Sequence, residues 1–305
     1  MKKAKTTFFL ILSLLLLNQQ SFAFSDIKEG SKHYVEINYL KENGIIEGYS
    51  DNTFKAKQEI NRAEALKIFM ESAKVLTKEE ISSLEINEKP FTDTELSDWF
   101  TPYVFVAKEK GIINGYPDGS FKPSQAIKLV EALKIYLESY ENLIYPLEIK
   151  NYFLDIDINE WYAKYVRYAD SRDLVEIYPS NKIYPFANQT RGDIAGIMYR
   201  HLMSSKGNME FGKATFYGKA VQGNLTASGE RFDLNKATAA HKTLPFNTIV
   251  RVTNLANGKS VDVRITDRGP YGPGRIIDLS SSAFSEIAWL GTGIIHVQME
   301  IISTP

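Results

Sequence analysis

From Ala237 to Ser280 the chain reads ATAAHKTLPFNTIVRVTNLANGKSVDVRITDRGPYGPGRIIDLS. Residues 248–253 and 261–266 alternate apolar with polar side chains, the pattern of half-buried strands. Asn257-Gly258 between them is a hairpin turn signal. Outward from this pair, residues 213–217 alternate weakly, 281–290 predict a single helix and 294–302 a last strand. Short strands with one helix across 212–305 fit a small closed barrel.

The whole chain has 305 residues, a length that suits about two domains of roughly 150 residues. Its formal net charge of −1 excludes a globally basic nucleic-acid binder. The charge is uneven, with 23 Lys+Arg against 30 Asp+Glu in 24–211 (net −7) and 10 against 7 in 212–305 (net +3). Residues 1–23 carry the parts of an export signal: Lys2, Lys3 and Lys5, an apolar run from Phe8 to Leu17, and a Ser21-Phe22-Ala23 cleavage site. That run is short for a membrane span, which takes about 20 residues. The chain has no cysteine. This removes disulfides, thiolate metal sites and a lipid-modified Cys; the four histidines show no ligand spacing, so neither metal nor cofactor is expected.

The front part repeats itself. ENGIIEGYSD from Glu42 matches EKGIINGYPD from Glu109 and, more worn, SRDLVEIYPS from Ser171. INRAEA from Ile60 matches IKLVEA from Ile127 and QTRGDI from Gln189. Two copies start on a Trp, Asp98-Trp99-Phe100 and Glu160-Trp161-Tyr162, which the first copy lacks. Tyr103, Val104 and Ala107, like Tyr165, Val166 and Ala169, predict a first helix in each unit. Gly44 and Gly111 fit left-handed helix ends, Phe54 and Phe121 fit core anchors after an Asp turn, and Asn61 and Thr190 fit caps of a second helix. Such helix pairs bury little area alone, so the three must pack together.

The repeat resembles the S-layer homology (SLH) module. That resemblance implies an all-α, pseudo-threefold bundle that binds cell-wall polysaccharide, with repeats at 24–76, 90–142 and 152–203. It also implies that Arg62 and Arg191 contact anionic groups of the wall polymer, as a guanidinium fork suits a carboxylate. The middle copy has Leu129 at that position, so its groove is weak or serves as scaffold. Tyr49, Tyr116 and Tyr178 either stack on sugars or are buried structural residues.

After a polar linker at 204–211, residues 212–305 resemble the RlpA family of cell-wall proteins. The match runs through Gly212-x-Ala214-x-x-Tyr217-Gly218, Thr226-Ala227-x-Gly229-Glu230, Ala239 to Pro245, Asp267-Arg268-Gly269-Pro270 and Arg275 to Ser280. The resemblance implies a double-psi β-barrel and lytic transglycosylase activity on the MurNAc–GlcNAc bonds of peptidoglycan, with a 1,6-anhydro product. That chemistry needs one group to protonate the leaving oxygen and then accept the 6-hydroxyl proton. Asp267 is the expected acid/base, or else only a turn residue; Glu230 is either a neighbouring carboxylate that raises it or a solvated loop residue. His241 either orients the acid or makes structural hydrogen bonds, and Asp278 is expected to bond within the barrel. Tyr217, Lys242, Thr243, Arg268 and Tyr271 are the expected substrate contacts. The combined expectation is an exported, wall-anchored enzyme. The alternatives are a non-catalytic, expansin-like wall-loosening protein and a purely structural surface-layer component.

Overall fold

The computed structural model describes residues 24–140 and 143–305; the expected export signal lies outside the described residues. The front part is helical. Each repeat supplies a pair: α1 (Tyr34–Glu42) with α2 (Arg62–Ser72), α4 (Thr101–Glu109) with α5 (Leu129–Glu138), and α6 (Ala163–Ser171) with α7 (Arg191–Ser204). A one-turn helix, α3 (Lys78–Ile81), joins the first two repeats. α2 and α7 start on capping boxes, in which Asn61 accepts from the Glu64 N–H and Thr190 from the Asp193 N–H. Gly44 and Gly111 take φ of 67° and 72°, the left-handed helix ends expected of them.

The bundle closes through backbone as well as side chains. The N–H of Ile60 donates to Gln189 O, that of Gln189 to Ile127 O and that of Ile127 to Ile60 O, at 3.0, 2.9 and 3.0 Å. This ring of three bonds sits where the second helices begin, and short β bridges flank it. The front part is therefore helix pairs around a small backbone junction rather than helices alone. A carboxylate clip recurs in each repeat: Asp26, Asp93 and Asp155 accept the backbone N–H of residues 54 and 55, 121 and 122, and 183 and 184 respectively. The clip holds Lys55, Lys122 and Tyr184 at φ of 57°, 57° and 53°, a conformation non-glycine residues seldom adopt. Its source is a triplet repeated in all three units, Phe24-Ser25-Asp26, Phe91-Thr92-Asp93 and Phe153-Leu154-Asp155.

The back part is a closed six-strand barrel in the order β1-β5-β2-β4-β3-β6. Its strands are β1 (Met209–Phe216), β2 (Thr238–His241), β3 (Ile249–Asn254), β4 (Ser260–Asp267), β5 (Arg275–Leu279) and β6 (Ile295–Ser303), with α8 (Ser281–Ile287) before the last. β1 runs parallel to β5 and β2 parallel to β4; the other neighbours are antiparallel. Val250, Val252, Val263, Ile265, Ile277, Leu279 and Val297 fill the barrel, and Phe284 of α8 plugs it against Phe216.

One boundary differs from expectation. β1 begins at Met209, so only residues 205–208 lie between α7 and the barrel, and 209–211 are strand rather than linker. The reason is pairing: Met209, Glu210 and Phe211 face Glu300, Met299 and Gln298 of β6. The parts also share packing, since Phe211 and Leu255 of the barrel belong to the apolar core of the repeats. The Tyr199 hydroxyl donates to Gln298 Oε1 at 2.6 Å, and the Val35 N–H to Leu255 O at 3.1 Å.

Candidate active site

Asp267 ends β4 and is half-buried. Its Oδ1 accepts two backbone N–H groups, from Ala227 at 2.9 Å and from Arg268 at 2.8 Å. The first donor comes from the Thr226–Glu230 turn, which is pinned to β4 by the Ser228 N–H on Thr266 O. Oδ2 faces the Tyr217 hydroxyl at 3.4 Å. One oxygen is thus fixed by backbone, and the other meets the Tyr217 hydroxyl.

Tyr217 follows β1 and packs edge-on against Phe232. Burial and the nearby charges of Asp267 and Asp278 push its hydroxyl well above the usual tyrosine range, so it remains a hydrogen-bond donor at neutral pH. Behind it, the Arg275 guanidinium donates to the Thr215 hydroxyl at 2.6 Å, and both Arg275 and Thr215 bond the Asp278 carboxylate. Asp278 therefore makes barrel hydrogen bonds, and its charge also reaches Tyr217.

Glu230 does not stand as a free carboxylate beside Asp267. Arg264 of β4 grips both its oxygens, at 2.8 and 2.9 Å, and Ser228 adds a third bond. The Arg264 hydrogen bond holds the carboxyl below its ordinary value. Successive strand residues point to opposite faces, which is how β4 sends Arg264 to Glu230 and Asp267 to Tyr217 with an odd step between them.

His241 is 3% exposed and both its ring nitrogens are committed. Nδ1 accepts the backbone N–H of Thr243 and Leu244 at 3.3 and 3.0 Å, so a neutral ring carries its proton on Nε2. Nε2 meets Glu210 Oε2 at 3.3 Å. Burial alone would raise the Glu210 carboxyl; the His241 bond, with Lys150 and Lys242 nearby, holds it down. His241 thus shapes the turn that carries Lys242 and Thr243, both exposed. Arg268 turns away from the Asp267 carboxylate. Its guanidinium lies 3.8 Å over the Phe246 ring and donates to His241 O. Tyr271 is 84% exposed on the loop after Pro270. Glu210 was not anticipated, because the sequence separates it from His241 by 31 residues.

In the repeats, Arg62 and Arg191 are buried rather than displayed on the surface. The Arg62 Nε donates to Phe121 O at 2.9 Å and its guanidinium lies over the Tyr116 and Phe121 rings. Arg191 does the same with Phe54 O at 2.8 Å and the Tyr49 and Phe54 rings. Each bridges two repeats. Each also lines a surface groove, Arg191 with Tyr49 and Trp99, Arg62 with Tyr116 and Trp161. At the third position Leu129 lines a groove with Tyr178 and Ile183.

The architecture is composite: a six-strand barrel with two parallel pairs, carrying a half-buried aspartate under a turn, set against three helical repeats. Residues 209–299 match the lytic transglycolase family, and 23–66, 90–132 and 152–195 match the S-layer homology domain. The chain thus carries three stretches that match the SLH domain and one, on the closed six-strand barrel, that matches the lytic transglycolase family. It is 44% identical over 128 residues to an "Endolytic peptidoglycan transglycosylase RlpA" of Vibrio cholerae, covering 42% of this chain and 49% of that one. A protein of the same name in Pasteurella multocida is 42% identical over 146 residues, covering 47% and 50%. A "Probable endolytic peptidoglycan transglycosylase RlpA" of Synechocystis is 53% identical over 91 residues, covering 30% and 28%. The chain spans about half or less of the length of these relatives.

Proposed function

We propose that this protein is a lytic transglycosylase of the cell surface, held on wall polymer by its SLH repeats and cleaving peptidoglycan glycan with its barrel. The observation that carries the reading is the Asp267 carboxylate, with Oδ1 fixed by two backbone N–H groups and Oδ2 beside the Tyr217 hydroxyl at 3.4 Å. Asp267 delivers a proton from Oδ2 to the glycosidic oxygen as the C1–O bond of MurNAc breaks. The C6 hydroxyl oxygen then bonds to C1, its proton returns to Asp267, and no water is consumed. Tyr217 donates to the same carboxylate and steadies it through both steps. Glu230, bound to Arg264, holds the turn that supplies the Ala227 N–H; His241 holds the Lys242-Thr243 turn against the glycan. Lys242, Thr243, Arg268 and Tyr271 line the approach, and Arg62 and Arg191 form the floor of two wall-binding grooves.

Incubation of the full chain with purified sacculi, followed by mass spectrometry, tests this. Wild type releases 1,6-anhydro products, and Asp267→Asn releases at least a hundredfold less while melting at the same temperature. Retained wall binding with no anhydro product from wild type would favour the expansin-like reading, which the engagement of Glu230 by Arg264 supports. The anchor is tested separately by co-sedimentation of Trp99→Ala/Trp161→Ala with sacculi; undiminished binding would remove the grooves from the account.

A further inference from the structure

The third repeat does not merely tether the barrel; it borders the same rim. Lys213 of β1 donates to Ile177 O at 2.7 Å, and Gly274 sits so close to Ile177 that a Cβ there would meet its carbonyl at 3.1 Å. Gly274 lies in the loop from Asp267 to β5. A cleft opens between the two parts at this seam, lined on one side by Lys150, Asp173 and Arg200 and on the other by Lys213, Lys242 and Arg275.

Most of its charges are spent. Lys150 pairs with Asp173 at 2.7 Å, and Asp170 takes the side chain and backbone N–H of Asn151. Glu176 faces His296 at 3.0 Å, Lys32 at 3.5 Å and Lys213 at 3.9 Å. Arg275 is bound to Asp278 through Nη2. Arg200, 8% exposed, is different: its Nε is buried without an acceptor, and among the described residues no hydrogen bond or ion pair holds its guanidinium. The Glu36 carboxylate is within electrostatic reach of it, but Glu36 bonds His33 through Oε1 and its buried Oε2 makes no hydrogen bond to Arg200. Arg275 Nε, in the same cleft, is also buried and unmatched. A buried guanidinium N–H without an acceptor is costly, and a carboxylate can answer a guanidinium edge with two parallel bonds. The space, about 60 Å³, takes a carboxylate and leaves a sugar ring outside, against the exposed Lys242.

We propose that this seam is a binding site for a carboxylate-bearing sugar, with Arg200 as the principal contact and Arg275 and Lys242 beside it. The proposal rests on the barrel acting on glycan, since it gives the strand a second hold on the side of the third repeat. Two sources carry the chemistry, the lactyl group of muramic acid and the ring carboxylate of a uronic acid in a wall polysaccharide. Calorimetry on the full chain separates them with N-acetylmuramic acid and glucuronic acid, and N-acetylglucosamine reports the ring without the carboxylate. N-acetylmuramic acid is expected to bind saturably, at least fivefold more weakly to Arg200→Gln, and with unchanged affinity to Arg251→Gln, an exposed β3 residue outside the cleft lining. N-acetylglucosamine is expected to give no saturable heat. Arg200-dependent binding of glucuronic acid alone would keep the site and assign it to the polysaccharide. Should Arg200→Gln melt early, Arg200→Lys keeps the charge without the fork and is expected to bind more weakly than wild type. The proposal is overturned if neither acid binds saturably, or if Arg200→Gln and Arg200→Lys both bind as wild type does. These readouts need no turnover, so they stand whether or not sacculi yield anhydro products.

Discussion

Two of the three junctions between repeats are built one way and the third another. At the first two, a buried arginine crosses the boundary, bonds the carbonyl of a phenylalanine and stacks on that ring and a tyrosine. At the third, Leu129 replaces the arginine and Ile183 replaces the phenylalanine. The two changes go together: a guanidinium without its ring and carbonyl geometry would be a buried unpaired charge, and an apolar pair avoids that cost. The tryptophan of the other grooves also changes. Lys32 stands there, on Asp193 at 3.0 Å, and His33 beside it sits between Glu36 at 3.3 Å and Asp193 at 3.2 Å. The lesson is that one repeat pattern tolerates two boundary chemistries. The ionic version lies on the side where the barrel docks, through Glu176, Lys213 and His296.

The strongest way to break this contrast is to remove a staple. Arg191→Ala is expected to cost about 2–4 kcal/mol in urea unfolding, from the orphaned Phe54 carbonyl and the lost ring contacts. A cost below about 1 kcal/mol would return Arg191 to the role of a surface ligand contact. Transplanting the staple is the next test. Leu129→Arg alone is expected to destabilise by about 2 kcal/mol, and adding Ile183→Phe to recover at least half of that.

The ionic junction has a pH signature. Burial would raise the Glu176 carboxyl, but the His296 bond and charge, with Lys32 and Lys213, depress it to about 2. A depressed carboxyl stabilises the fold above its unfolded value of 4.5 and loses that stability as pH falls toward about 2. Wild-type stability should therefore decline across this window, and Glu176→Gln should flatten the decline by roughly 1–2 kcal/mol. A smaller effect belongs to His201, which bonds the Tyr136 and Tyr168 hydroxyls and which burial, then the Arg172 charge, lowers to about 4. Here the unfolded chain takes up the proton first, so stability is complete above pH 6.5 and falls toward pH 4. His201→Gln should remove about 1 kcal/mol of that slope.

Much of the fold was legible because its signals are local. The caps at Asn61 and Thr190, the turns at Gly44 and Gly111 and the Asn257-Gly258 hairpin each depend on a few adjacent residues. The order of strands was not, since β1 pairs with β5 across some sixty residues and alternation says nothing of neighbours. The candidate site shows the same division. Asp267 and Tyr217 were anticipated from motif and do come together, whereas Glu230, read either as the neighbouring carboxylate or as a solvated loop residue, is bound by Arg264. Both ends of that ion pair sit in plain view in the sequence, 34 residues apart, with no periodicity to link them. His241 was left between chemistry and structure; the contacts of both its nitrogens favour the latter.

The four residues between α7 and β1 leave almost no slack. A pull on the repeats reaches the barrel at Met209, along a strand bonded on one side to β5 and on the other to β6, as well as through the docking contacts of Val35 and Tyr199. That loads the strand's hydrogen bonds together in shear rather than one after another in peeling. The geometry is that of a strand clamped from both sides, so that tension applied to the repeats would meet both ladders of β1 at once.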